Sequence, residues 1–225
     1  MSNAFVWAST VLYAVDIAVH LMAVAQKKER LRRITKVLLM PLAALTFSLW
    51  WLSVSDAALP WLVVAGLLMG CAGDTLLLNH HHKVGLPLGL ASFSVGHVLY
   101  IIQIWRITVA PEWWIFVLLA LVYGAGVACL YVRLFPYLPK AFRVPSIAYM
   151  LLISSLSVSA AAAAIPAFTL GAALVLAGTL LFMLSDGILS FEVFRTETHA
   201  SHLKVMVPYI AAQTLISAGF LVSMV

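Results

Sequence analysis

Apolar stretches long enough to cross a bilayer follow one another along almost the whole chain, each closed by a short polar or proline-bearing break. A spanning helix needs about 17 to 25 residues. Eight helices are expected, at roughly 4–25, 34–52, 57–78, 87–106, 111–133, 144–164, 166–190 and 205–224. The composition is 64% hydrophobic and 9% charged, against about 25% charged in a soluble domain. No core of this size could hide that much apolar surface from water. The expected fold class is therefore all-α, a polytopic membrane protein of eight transmembrane helices in one domain over 1–225. A barrel would need short alternating strands, a pattern the sequence lacks. Pro60, Pro87, Pro111, Pro145, Pro166 and Pro208 are expected in or near first turns, where the missing N–H costs nothing. Pro41 is expected to kink the second helix.

Charge gives an orientation. Twelve of the thirteen Lys and Arg residues lie at connections 1–2, 3–4, 5–6 and 7–8 or at the adjoining helix ends, and only Arg106 lies on the other side. The positive-inside rule puts those connections in the cytoplasm and both termini outside. All seven tryptophans fall near the opposite, outer ends, as an aromatic belt would. The net charge of +5 is thus a topology signal, and no basic soluble element exists to bind nucleic acid. The basic cluster at 27–36 also offers Lys36 and its neighbours to a headgroup phosphate. No cleavable leader is expected, since the first apolar run is long enough to span and has no basic residue before it. Cys71 and Cys129 read as small packing residues.

Ionisable groups inside spanning helices cost at least ~2.5–3.5 kcal/mol each, so they need partners or roles. Helix 1 carries Asp16 and His20, helix 3 Asp74, helix 4 His97 and Tyr100, helix 7 Asp186, and helix 8 Tyr209 and Gln213. Asp74 and Asp186 are both expected near the cytoplasmic ends of their helices. His97 is expected about ten residues into helix 4, roughly 15 Å deep. His97 and Tyr100 share a face, as do Tyr209, Gln213 and Ser217, and these stripes should face the bundle interior.

His97 follows Asp74 by 23 residues, and Tyr209 follows Asp186 by the same step. GCAGDTLLLN and LFMLSDGILS end helices 3 and 7, so an offset of 112 residues gives a possible 4+4 parallel repeat with a site at its interface. Two neighbouring buried acids cannot easily both ionise. One keeps its proton while the other stays charged, which supplies a donor and an acceptor to one pocket. The alternative is that each Asp is satisfied by Ser, Tyr or backbone partners and only locks helices together. His80, His81 and His82 could bind zinc only through an irregular turn, and otherwise are loop histidines. Asp16 and His20 read as an i,i+4 structural pair, and Ser154, Ser155, Ser157 and Ser159 as close-packing residues. Glu192, Glu197, His199 and His202 read as a solvated loop that could cap a pocket.

The segments GDTLLL, GLPLGLASFSVGHVLY, LLFMLSDGILSF and MVPYIAAQTLISAG, in this order, resemble the YhhN-type lysoplasmalogenase family. RRITKVLLMP is similar too, with Val37 where that family usually has proline. The resemblance implies an eight-helix hydrolase that cleaves the vinyl ether bond of lysoplasmalogen to a fatty aldehyde and a glycerophospho-ethanolamine or -choline. It implies Asp74, Asp186 and His97 as catalytic residues, and Tyr100, Tyr209, Gln213 and Lys36 as substrate-binding residues. Lys36 would hold the phosphate. No metal or cofactor is required by this scheme. The implied partners are a lysophospholipid and the lipid bilayer, the implied setting the bacterial cytoplasmic membrane. An intramembrane zinc-dependent lipid hydrolase and a proton-coupled transporter are the competing readings.

Overall fold

Short connections that hold proline, such as 55–60 and 165–169, separate helices built on the apolar runs. The computed structural model describes residues 3–78, 84–195 and 202–224. Among these residues there is no strand, and eight helices follow in order. They are α1 (Asn3–Ala25), α2 (Glu29–Val54), α3 (Trp61–Leu77), α4 (Gly85–Ile107), α5 (Trp113–Leu134), α6 (Lys140–Ala164), α7 (Leu170–Arg195) and α8 (His202–Met224). A short 3₁₀ turn, Phe135–Tyr137, links α5 to α6. Seven helices are long and apolar enough to cross a membrane, and α3 is the shorter one at 17 residues. The chain is an all-helical membrane protein.

The helices overrun the expected apolar boundaries at their charged ends. α2 begins at Glu29 and α6 at Lys140, and α7 continues to Arg195. Bilayer length limits an apolar run, but a helix can continue into the headgroup layer. Pro145 and Pro208 consequently fall inside α6 and α8 rather than in their first turns, and Pro166 lies in the connection before α7. Pro41 sits inside α2 and cannot donate to the carbonyl of Val37. The Cys71 Sγ approaches that carbonyl at 3.4 Å, so α3 supplies the missing donor. Cys71 is thus more than a small packing residue.

The α1–α2 turn is tight. Lys28 N–H donates to the Ala23 carbonyl at 2.9 Å and Lys27 N–H to Val24 at 3.2 Å. Lys27 takes the left-handed backbone with φ 56. This is a Schellman closure with lysine where glycine is usual.

Successive helices pack as α1 on α2, α2 on α3 and α3 on α4. The circuit continues from α4 to α6, α7 and α8, and α8 returns to touch α1, α2 and α3. α5 stands outside, against α6 and α7, with only Ile115, Val127 and Leu134 buried. Association in lipid depends on close backbone approach rather than on exclusion of water. A Cβ at Gly66 would run into the Tyr100 ring, and one at Gly178 would meet the Ala212 carbonyl at 2.8 Å. The α6 serines tie helices together: Ser159 accepts from Trp105 Nε1 at 3.2 Å, and Ser157 bonds Tyr123 at 3.1 Å and Thr179 at 3.1 Å.

Candidate functional site

Asp74 lies three residues before the end of α3 and is 2% exposed. The Tyr209 hydroxyl on α8 donates to Asp74 Oδ2 at 2.7 Å. Lys36 Nζ on α2 stands 3.4 Å from Oδ1. Both side chains of this ion pair are largely buried. Lys36 is thus the buried counterion of the Asp74 carboxylate. Beside Tyr209, the Tyr100 hydroxyl donates to Gln213 Oε1 at 2.9 Å, and both residues are 1% exposed.

The second acid, Asp186 on α7, is half-buried and accepts a hydrogen bond from the Tyr149 hydroxyl on α6. Among the described residues it has no ion pair with a basic side chain. It lines a cavity of about 30 Å³ together with Leu90, Phe93, Tyr149 and Phe194. A water needs roughly 10–15 Å³ of such space, so the cavity can admit water beside the carboxyl group.

Aromatic rings fill the space between the two acids. Phe182 lies 5.5 Å from Tyr209 and 4.7 Å from His97, edge to face in both contacts, and His97 lies 5.8 Å from Tyr149. Phe93 meets Tyr209 at 6.1 Å and also walls the Asp186 cavity. His97 is 1% exposed, yet among the described residues neither ring nitrogen has a hydrogen-bond partner. Buried polar atoms are nearly always satisfied. Two unpartnered nitrogens on one buried ring, packed against Tyr149 and Phe182, are therefore unusual.

All seven candidate residues lie in neighbouring helices of the bundle. The 23-residue steps gave each acid a polar follower on the next helix. In the structure α8 crosses to α2 and α3, so Tyr209 reaches Asp74, while Asp186 is bonded by Tyr149 on α6. Sequence reasoning missed Tyr149, Phe93 and Phe182. The repeat offset held a clue to the first, since Lys36 shifted by 112 residues falls next to Tyr149.

Asp16 and His20 do not pair with each other. His20 Nδ1 bonds Thr35 Oγ1 at 2.8 Å, while its Nε2 and Asp16 Oδ2 have no hydrogen-bond partner among the described residues. Glu192 lies within α7, not in the loop after it, and His202 opens α8. His80, His81, His82, Glu197 and His199 lie outside the described residues. Among the described residues no three His, Cys, Asp or Glu side chains gather where a metal could sit.

The model of the YhhN family matches residues 31–220. The chain belongs to the YhhN family. The match spans both acids, His97, Lys36, Tyr100, Tyr149, Tyr209 and Gln213, and leaves Asp16 and His20 before it. No curated protein and no solved structure matches this YhhN family member.

Proposed function

We propose that this protein hydrolyses the vinyl ether bond of lysoplasmalogen, releasing a fatty aldehyde and a glycerophospho-base, through its two buried aspartates. The observation that carries the reading is His97, buried with both ring nitrogens unpartnered among the described residues, next to Tyr149 of one Asp–Tyr pair and to Phe182, which packs on Tyr209 of the other. A purely structural lock would leave the aspartates bonded to tyrosines, as they are. It would not need an unsatisfied imidazole or a water-sized cavity at one carboxyl group.

The charges distinguish the acids. Asp74 has the Lys36 ammonium and a hydroxyl donor, which favours the carboxylate. Asp186 has a hydroxyl but no cation beside it among the described residues, which favours the neutral acid. Asp186 gives its proton to the β-carbon of the vinyl ether, and the electron pair of the double bond forms the new C–H bond. The ether oxygen shares the resulting positive charge as an oxocarbenium ion, which Asp74 stabilises. Water adds to the cationic carbon and loses a proton to Asp74. The hemiacetal then collapses: Asp74 returns that proton to the glycerol oxygen as the C–O bond breaks, and the hemiacetal hydroxyl proton restores Asp186. One water is consumed, and both acids end as they began. His97 orients the water or relays a proton, while Tyr209, Tyr100 and Gln213 hold the water and the ether oxygen. Lys36 acts mainly as the counterion of Asp74. A phosphate there would find its charge already neutralised.

The same proposal includes eight spanning helices in the bacterial cytoplasmic membrane, with the site toward the cytoplasm and a 4+4 parallel repeat. The neighbour pattern supports the repeat. α8 packs on α2 as α4 packs on α6, and Gly66 faces Tyr100 as Gly178 faces Ala212, at the same 112-residue offset.

The test is turnover of a 1-alkenyl lysophospholipid by detergent-purified protein in D₂O. The expected product is a fatty aldehyde with one deuterium on the carbon next to the carbonyl. Aldehyde without that deuterium would rule out protonation at carbon.

A further inference from the structure

The Asp186 cavity, at about 30 Å³, holds little more than one water. No lipid chain fits it as it stands. A second hollow lies on its outer side, a groove of about 490 Å³ between α4 and α6. Ligand sites run from about 300 to 1,000 Å³, so this groove is of ligand size. It is lined by Pro87, Leu90, Ala91, Ala148, Tyr149 and Leu152. Pro87, Ala91 and Ala148 are exposed on the lipid-facing surface of the bundle.

Leu90 and Tyr149 line both spaces. The Tyr149 ring is therefore the partition between them, and its hydroxyl bonds Asp186. The groove floor includes Ala141 and Phe142, in the first turn of α6 next to the exposed Lys140. An apolar trough with a cation at one end suits a single-chain amphiphile with an anionic head.

We infer that the α4–α6 groove is the lateral entry for a single-chain phospholipid from the bilayer, and that Tyr149 is a swinging gate and positioning residue between groove and acid cavity. This rests on the lipid-hydrolase reading for what lies behind the gate, but groove occupancy can be read without turnover. With the chain in the groove and the phosphate at Lys140, rotation of Tyr149 joins the two spaces and brings the lipid bond to Asp186. A competing groove of about 410 Å³, lined by Trp105, Tyr123 and Ser154, opens among α4, α5 and α6. It shares no lining residue with the Asp186 cavity.

The experiment uses a non-hydrolysable alkyl-ether lysophospholipid with a diazirine in its chain, cross-linked to full-length protein and mapped by mass spectrometry. Labels are expected on residues 87–94 and 141–152. Ala148→Trp and Ala91→Trp fill the trough. Displacing two buried methylenes weakens binding by about tenfold, and labelling should fall by about that factor in both variants. Tyr149→Phe should keep groove labelling yet lose aldehyde release. Tyr149→Ala should extend labelling to the cavity residues Leu189 and Val193. Labelling centred on Trp105 and Ser154, labelling unchanged in both Trp variants, or no labelling at all would overturn the entry groove. Groove labelling without aldehyde release from the alkenyl lipid would keep the groove and sink the hydrolase reading instead.

Discussion

At the scale of single residues, the site rests on one charge pair and one unsatisfied ring. Breaking a buried ion pair by removing one partner costs about 3–5 kcal/mol, because a charge is left uncompensated. Lys36→Met should therefore lower the thermal unfolding temperature in detergent and reduce turnover at least ~100-fold. Lys36→Met combined with Asp74→Asn should recover most of the stability and none of the activity. If the single variant unfolds like wild type, Lys36 does not hold Asp74 as described. Asp74, Asp186 and His97 were legible in the sequence because a polar group in a spanning helix has a large cost. Tyr149 was not, since a tyrosine midway along an apolar helix carries no such penalty. Its meaning depends on which acid α6 faces.

At the scale of the elements, the eight helices were legible because bilayer thickness writes their length directly into hydropathy. Their charged ends were not. Glu29–Arg33, Lys140–Arg143 and Glu192–Arg195 continue as helix beyond the apolar runs, where hydropathy no longer reports on backbone shape. Proline inside α2 adds a specific dependency. The Val37 carbonyl, deprived of its donor by Pro41, is met by the Cys71 thiol. Cys71→Val should cost about 1 kcal/mol by leaving that acceptor unmet, whereas Cys71→Ser should stay close to wild type. Thermal unfolding of the two variants in detergent checks this, and equal losses would show that only side-chain volume matters there.

At the scale of the whole molecule, the pairing of the polar groups follows from a closed circuit in which α8 returns to α2 and α3. Sequence spacing could indicate a repeat, but not that each acid would find its closest partner outside the next helix. The proposed orientation rests on the distribution of Lys and Arg, and it is testable in intact cells. A cysteine at Asp56 should react with a membrane-impermeant maleimide from outside, and one at Lys28 should not. The reverse pattern would invert the topology and move the acids to the other leaflet. The central claim is that two aspartates act together on a vinyl ether. It is tested most directly by aldehyde release from a lysoplasmalogen, comparing wild type with Asp74→Asn and Asp186→Asn matched for folding by size exclusion and thermal unfolding. Wild type should release aldehyde, and each variant should lose at least ~100-fold. Near-wild-type turnover by either folded variant, or no aldehyde from wild type, would contradict it.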